Sequence, residues 1–449
     1  MGLLILMMST SLICIFLNKK DQYVGIMNLF AIWAVYSLSM WSGPGVSWTS
    51  LSSMACVDVF SMSLISLTFW VCGISIMASG GMSTLRGNYL SFCWLTVLLG
   101  LLLVGCFMIN SIIVFYILFE STLVPMVVII ALWGQQPERI SAVRYMSAYT
   151  VGGSFPLLAV LVVMESKIGT SFFWFMSTKV QFESWFWAMC FLGFLVKLPA
   201  YPVHTWLPKA HVQAPVGGSV VLAGILLKLG GYGIFRLMMT FSYGLEGFGL
   251  LAVSLSVFGS LYAAMMCACQ SDVKKLVAYS SVSHMAFPII GLFSCTEVGV
   301  SSAFIMLVSH GFISSGLFVL CSISSELTAT RNLSLMSGVC RAVPVLSFLW
   351  LVFIMSNLGV PPCPSFISEV LTVVAVSSMG PYVFVMLAIY LVVSGVYSFS
   401  LYCQLTHGGQ VGDWRMSFDM ISLRDLMSLW LLFFPLVEVL FKWDLWSVF

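Results

Sequence analysis

The stretch Phe194–His211, FLVKLPAYPVHTWLPKAH, sits in an apolar run long enough to span a membrane, yet it holds Lys197, Pro199, Pro202, His204, Pro208, Lys209 and His211. Proline removes a backbone donor and frees the carbonyl one turn back. Hydrocarbon cannot satisfy that carbonyl, so a helix broken there must face protein or a water-filled cavity. A second stretch has the same character: NLGVPPCPSFISEV, Asn357–Val370, carries Pro361, Pro362 and Pro364. Paired breaks in corresponding places of two halves point to an internal repeat with ion sites at mid-membrane. The repeat is inferred from this pattern alone, because the halves show no clear residue identity.

Composition supports a chain built for lipid. Its 449 residues are 60% hydrophobic and only 8% charged, and the mean hydropathy is +1.06. Soluble domains carry about 25% charged residues. The net charge of +2 is spread thinly, which leaves no footprint for nucleic acid. Thirteen scattered cysteines without a CxxC pair read as small apolar packing residues. There is no phosphate-cradling loop, HExxH, iron–sulfur framework or dinucleotide fingerprint. The sequence therefore implies no bound cofactor and no metal.

A span needs about 20 apolar residues. Runs of that kind lie near 3–17, 23–41, 57–78, 90–109, 111–133, 143–164, 186–208, 212–238, 246–269, 276–294, 300–323, 342–376, 381–404 and 422–442. They predict an all-α polytopic membrane protein of about fourteen transmembrane helices, with two inverted repeats and broken helices near 197–208 and 357–369. The opening run has no positive residue before it, so it reads as the first span and not as a cleaved signal. Odd-numbered loops collect most cations, among them Lys19, Lys20, Arg139, Lys209, Lys274, Lys275 and Arg331. Lys167, Lys179, Arg236 and Lys442 fall to the other side. By the positive-inside rule the odd loops face the cytoplasm or matrix, and both termini face away from it.

Four charges lie deep in apolar runs: Glu120 in FYILFESTLVPM, Lys197, Lys228 in LAGILLKLGGYG and Glu369 in SFISEVLTVV. Each costs about 2.5–3.5 kcal/mol at a helix centre on insertion scales. Two readings account for such a cost: structural ion pairs between helices, or a proton relay through the interior. They are compatible, because a pair that opens and closes also switches proton affinity. Lysine and glutamate exchange protons reversibly, whereas arginine stays charged. Moving one charge against 100 mV costs about 2.3 kcal/mol, and one pKa unit is worth about 1.4 kcal/mol. A swing of about 2.5–3.5 units therefore pumps against roughly 150–200 mV, which a carboxylate moving away from a buried lysine can supply.

Histidine titrates near neutrality, and His204, His284 in SSVSHMAF and His310 in LVSHGFISSG extend the series. For each, the alternative is a hydrogen-bonded structural group. Nearby Ser280, Ser281, Ser283, Ser309, Ser314 and Ser315 offer sites for water between helices. His211 reads as structural or as an access point, and His407 as solvated. Gly224, Lys228 and Tyr232 recur every four residues and share a helix face. Gly224 offers close approach or room for water, Tyr232 a hydrogen bond near the ammonium, and Gly230 and Gly231 helix packing.

VKLPAYPVHTWLPKAHVQAPVGGSVVLAGILLKLGGYGIFR, together with FYILFESTLVPM and LGVPPCPSFISEV, closely resembles the signature of the proton-translocating antiporter-like subunits of respiratory complex I. The resemblance runs from about Gly100 to Tyr402 and is weaker at both ends. It implies a membrane-arm subunit of NADH:ubiquinone oxidoreductase in the inner mitochondrial membrane, with both termini toward the intermembrane space. Its partners would be other membrane-arm subunits, including neighbouring antiporter-like ones, and membrane phospholipid. NADH, FMN, iron–sulfur clusters and ubiquinone would belong to other subunits. It also implies amino-terminal helices over 1–89, antiporter-like repeats over 90–240 and 246–404, and a carboxy-terminal helix over 405–449. Glu120, Lys197, Lys228 and Glu369 match the family's charged axis, and His204, His284 and His310 its bridging histidines. A stand-alone cation/proton antiporter component and a structural membrane scaffold are the rival readings.

Overall fold

The computed structural model describes residues 19–39, 49–52, 55–80, 89–173, 184–240, 246–338, 343–407 and 421–441. The expected span near 3–17, with Lys179 and Lys442, lies outside the described residues. Among the described residues, nine helices are long and apolar enough to cross a membrane. The multi-pass, helical architecture expected from the apolar runs is present.

Contacts divide the chain into two compact units. The first comprises Met1–Leu198 and Gln213–Gly249, the second Pro199–Val212 and Leu250–Phe449. In the first unit α1 is Lys19–Ser39, α2 Val59–Ala78, α3 Tyr89–Met108, α4 Ile112–Ser121, α5 Leu123–Trp133, α6 Arg139–Ile168 and α7 Ser184–Lys197. Here α1 packs on α2, α2 on α3, and α6 on α7. A short antiparallel hairpin, β1 Thr49–Ser52 with β2 Ala55–Val57, precedes α2. Its seven residues are too few for the apolar pattern to announce a sheet.

The first expected break is real. Helix α7 stops at Lys197, a 3-10 turn forms over Val203–Thr205, and α8 resumes over Trp206–Gln213. Beyond it come α9 (Val216–Val221), a π turn over Leu222–Leu226, and α10 (Leu227–Thr240). The π turn was not expected from the sequence. Residues 216–237, from α9 into α10, are buried, and exposure begins only at the end of α10, where Met239 is exposed.

The second unit holds α11 (Glu246–Ala268, its first residues in the first unit), α12 (Val273–Phe293), α13 (Glu297–Thr328), α14 (Pro344–Asn357), α15 (Pro364–Val376), α16 (Pro381–Thr406) and α17 (Leu423–Phe441). The second expected break separates α14 from α15. Helix α13 is the hub of this unit: α12, α14, α15 and α17 all pack on it, and its residues 301–321 are buried. Trp350 of α14 ties to it by donating from Nε1 to Ser324 Oγ at 3.0 Å. The outer α16 instead exposes Val392 and Val396.

Local chemistry sets the helix ends. Asp58 caps α2 in a reciprocal box with Ser61. Asp272 accepts from the Lys274 amide at the start of α12, and Thr296 from the Gly299 amide at the start of α13. Proline opens α14, α15 and α16, where its missing amide costs no helical bond. Within the spans, serine and threonine hydroxyls donate to carbonyls of the preceding turn, as Ser63 does to Phe60 and Thr68 to Ile65. That bonding lets polar residues enter hydrocarbon without an orphaned donor.

Candidate functional site

The first unit buries both expected lysines. Lys197 ends α7 at 5% exposure. Its ammonium donates to the Phe119 carbonyl and sits 3.1 Å from the centroid of the Phe119 ring. That carbonyl lies where α4 gives way to α5, and it also accepts from the Thr122 hydroxyl at 2.8 Å. Glu120 is the next residue along, yet no ion pair joins it to Lys197 in this structure. One Glu120 carboxylate oxygen is buried without a hydrogen-bond partner, and Ser154 of α6 lies within reach of the carboxylate.

Lys228 is fully buried as the second residue of α10. Its Nζ donates to the Ala223 carbonyl at 2.6 Å. Ala223 belongs to the π turn, where the ordinary i→i−4 ladder is broken and carbonyls are displaced from their α-helical partners. A side chain at Gly224 would meet Val71 of α2 at 2.7 Å, so this glycine serves close helix approach. Gly230 does likewise, with the Phe194 carbonyl 2.8 Å from where a Cβ would stand. The Tyr232 hydroxyl donates to the Phe107 carbonyl at 2.9 Å.

Two turns beyond Lys228, near the end of the apolar run over 212–238, Arg236 lies within α10 at 2% exposure. Its guanidinium grips Asp58 bidentately, Nη1 to Oδ2 at 2.7 Å and Nη2 to Oδ1 at 2.9 Å. It also lies over the Tyr232 and Phe235 rings, 4.6 and 5.5 Å from their centroids. Burial by itself raises the Asp58 carboxyl pKa, but the guanidinium and the Ser61 amide and hydroxyl outweigh it and hold the group below the ordinary carboxylate range. The only sequence signal was an acid immediately before an apolar run and an arginine inside another.

In the second unit the expected histidines and acid converge. His284 of α12 places Nδ1 3.9 Å from Glu369 Oε1 of α15. Its ring centroid is 5.9 Å from that of His310 of α13. Two tyrosines of α16 complete the cluster: the Tyr390 hydroxyl is 3.4 Å from Nδ1 and the Tyr397 hydroxyl 3.4 Å from Nε2. These tyrosines went unread in the sequence, although a seven-residue spacing places both on one face of an otherwise apolar helix.

The second break seats Glu369. Gly359 adopts φ +71°, and a Cβ there would stand 2.5 Å from Glu369 Oε2. Backbone and carboxylate approach this closely only because the residue has no side chain. The carbonyl of Ser356, beside the break, accepts from the Ser365 hydroxyl. This is the re-satisfaction of a freed carbonyl that a break in lipid demands.

His204 falls in the second unit, within the first break, at 5% exposure. It stacks on Tyr201, with Tyr262 and Tyr279 edge-on at centroid distances of 5.8 and 6.5 Å. Its Nδ1 is buried without a hydrogen-bond partner. His211 is fully buried and stacked on Phe318 at 4.4 Å. Lys274, expected in a loop, instead lies buried in the first turn of α12. With Arg331 it points at the Val212 carbonyl, at 3.5 and 3.2 Å. Two cations thus meet the negative end of α8. The serines around His284 and His310 all donate to carbonyls of their own helices, so toward water they offer acceptor lone pairs.

Residues 109–395 match the family described as NADH:quinone oxidoreductase/Mrp antiporter, TM. Residues 1–106 match NADH-ubiquinone oxidoreductase chain 4, amino terminus. The NADH-ubiquinone oxidoreductase chain 4 of Lumbricus terrestris is 36% identical over 87% of this chain and 88% of its own length. That of Latimeria chalumnae is 34% identical over 89% of each. The chain belongs to the NADH-ubiquinone oxidoreductase chain 4 family. It is thereby a membrane subunit of a multisubunit oxidoreductase. The fold of this chain 4 relative is shared with a chain of respiratory complex I from Thermus thermophilus (TM-score 0.82, 23% identity, 97% of this chain and 94% of that one). A chain of the Mrp complex from Dietzia sp. shares it too (TM-score 0.83, 14% identity, 99% and 93%).

Proposed function

We propose that this membrane-arm subunit of NADH:ubiquinone oxidoreductase translocates protons through two buried sets of titratable groups. Glu120, Lys197 and Lys228 form the first set, and His204, His284, His310 and Glu369 the second. Electron transfer, with NADH, FMN, iron–sulfur clusters and ubiquinone, belongs to partner subunits. The site is the inner mitochondrial membrane, both termini face the intermembrane space, and protons move from matrix to intermembrane space. The observation that carries this reading is the convergence of Glu369, His284 and His310 from three separate helices of one unit.

In the first set, Glu120 acts as the movable partner of Lys197. The structure holds the arrangement in which the ammonium rests on Phe119. Approach of the Glu120 carboxylate favours the protonated amine, and its withdrawal drives the proton off. Lys228 likewise donates to a carbonyl, that of Ala223, and exchanges its proton from there. In the second set His284 takes up a proton and delivers it to Glu369. The antiporter-like repeats over 90–240 and 246–404 supply one broken helix each, which lets the charged residue beside the break reorient while the rest of the helix stays folded.

Lys228→Met in the whole complex reconstituted into liposomes tests the reading. The expected result is a lower number of protons moved per NADH oxidised with the complex assembled. An unchanged ratio contradicts the relay.

A further inference from the structure

The phenols of α16 do more than fill space beside His284. We propose that Tyr390 and Tyr397 are positioning residues that bracket the His284 imidazole and govern which ring nitrogen gives and takes the proton. The proposal rests on the reading above, in which His284 is a carrier.

The geometry is specific to the two nitrogens. Tyr390 faces Nδ1 and Tyr397 faces Nε2, each at 3.4 Å. The Nδ1 side also faces Glu369 at 3.9 Å. His310 of α13, Ser283 of α12 and the buried Cys267 thiol of α11 also face the cluster, Ser283 lying within hydrogen-bond reach of both phenols and Cys267 beside them. All of these side chains are buried. Bulk water is therefore not there to solvate whichever nitrogen is left over.

A neutral imidazole has one donor and one acceptor nitrogen, and an imidazolium has two donors. A carrier must pass between these forms without orphaning a ring nitrogen. A phenol meets both needs, because its hydroxyl donates to a bare nitrogen or turns to accept from an N–H. With Tyr397 on Nε2, the opposite nitrogen is free to exchange its proton with Glu369 while the ring stays anchored. No bond other than N–H and O–H changes: Nδ1–H breaks as the Glu369 O–H forms, the hydroxyl of Tyr390 turns to donate to the bared Nδ1, and Tyr397 keeps accepting from Nε2–H. Hydrogen bonds to charged groups are the stronger ones, so loss of the Tyr397 hydroxyl weakens the imidazolium more than the neutral ring.

The test uses Tyr397→Phe, Tyr390→Phe and the double variant in the complete complex in liposomes, with His284→Phe as the reference. Phenylalanine keeps the ring packing and removes only the hydroxyl. Expected are normal assembly, fewer protons per NADH in the double variant, and a shift of the pH profile of coupled turnover toward acid by about half a unit for Tyr397→Phe. A purely structural role would leave the pH profile in place. If His284→Phe lowers the ratio while all tyrosine variants keep the native ratio and profile, the bracketing role is overturned and the relay stands. If His284→Phe leaves the ratio native, the relay reading fails at this residue and the bracketing role falls with it. Should the variants fail to assemble, Tyr397→His, which restores a donor–acceptor group, is expected to recover assembly and pumping together; assembly without recovered pumping overturns the proposal.

Discussion

The two units bury charge by different means. In the first, Lys197 and Lys228 each rest on a backbone carbonyl, that of Phe119 and that of Ala223, and both carbonyls sit where a helix departs from α geometry. In the second, the buried groups face one another: carboxylate to imidazole, imidazole to phenol. A carbonyl partner keeps its place and stays neutral, so a lysine held this way can lose its proton without stranding an opposite charge. A cluster of side chains can redistribute a proton internally. Helix irregularity thus does in one unit what side-chain chemistry does in the other.

The first unit also contains the contrasting case, a charge that cannot be given up. Arginine stays protonated at any pH the fold survives, so Arg236 with Asp58 is an anchor between α10 and the capping box of α2. Arg236→Met should produce the largest loss of stability, because removing one member of a buried pair costs about 3–5 kcal/mol. Thermal unfolding of the purified complex measures it. The double variant Arg236→Met with Asp58→Leu should recover most of that loss, since apolar replacement of both partners is often neutral. A double variant as unstable as the single would break the contrast between anchor and relay. The pH dependence follows from the lowered Asp58 value. Its stabilisation is fully present above the unfolded carboxylate value of about 4 and is lost as pH falls through the lower folded value. The difference between native and Asp58→Asn chains should therefore be flat from pH 5 to 8, values set by the same linkage, and shrink only in stronger acid.

A smaller effect is expected at the second break. Gly359→Ala places a methyl against Glu369 in a left-handed backbone conformation, costing about 1–2 kcal/mol. The carboxylate must shift, so coupled turnover should fall while NADH oxidation in uncoupled membranes is largely kept. Equal turnover in both conditions for variant and native complex would show that seating Glu369 on the break is unimportant.

Much of the fold was legible in the sequence because lipid imposes a strict rule: apolar runs of sufficient length become helices, and prolines inside them become breaks. The limits of α7, α8, α14 and α15 follow directly from Pro199, Pro202, Pro361, Pro362 and Pro364. The charged positions were legible for the same reason, since Lys228 or Glu369 in an apolar run contradicts its surroundings. The π turn over Leu222–Leu226 was not, because no proline marks it and its residues suit an α-helix equally well. Tyr390 and Tyr397 were missed because tyrosine is common in membrane helices, and only three-dimensional placement separates a tyrosine on a histidine from one on lipid. Asp58 and Arg236 were missed because each sits near the end of an apolar run, where charge is unremarkable.

The most direct measurement compares Lys228→Arg with the native complex in sealed liposomes, reading protons moved per NADH oxidised. Arginine preserves the positive charge and donates to a carbonyl, yet it does not release its proton. A group that must exchange its proton predicts that Lys228→Arg assembles, oxidises NADH and moves fewer protons. A native proton count in that variant would show that Lys228 serves as a fixed charge, and would contradict the account.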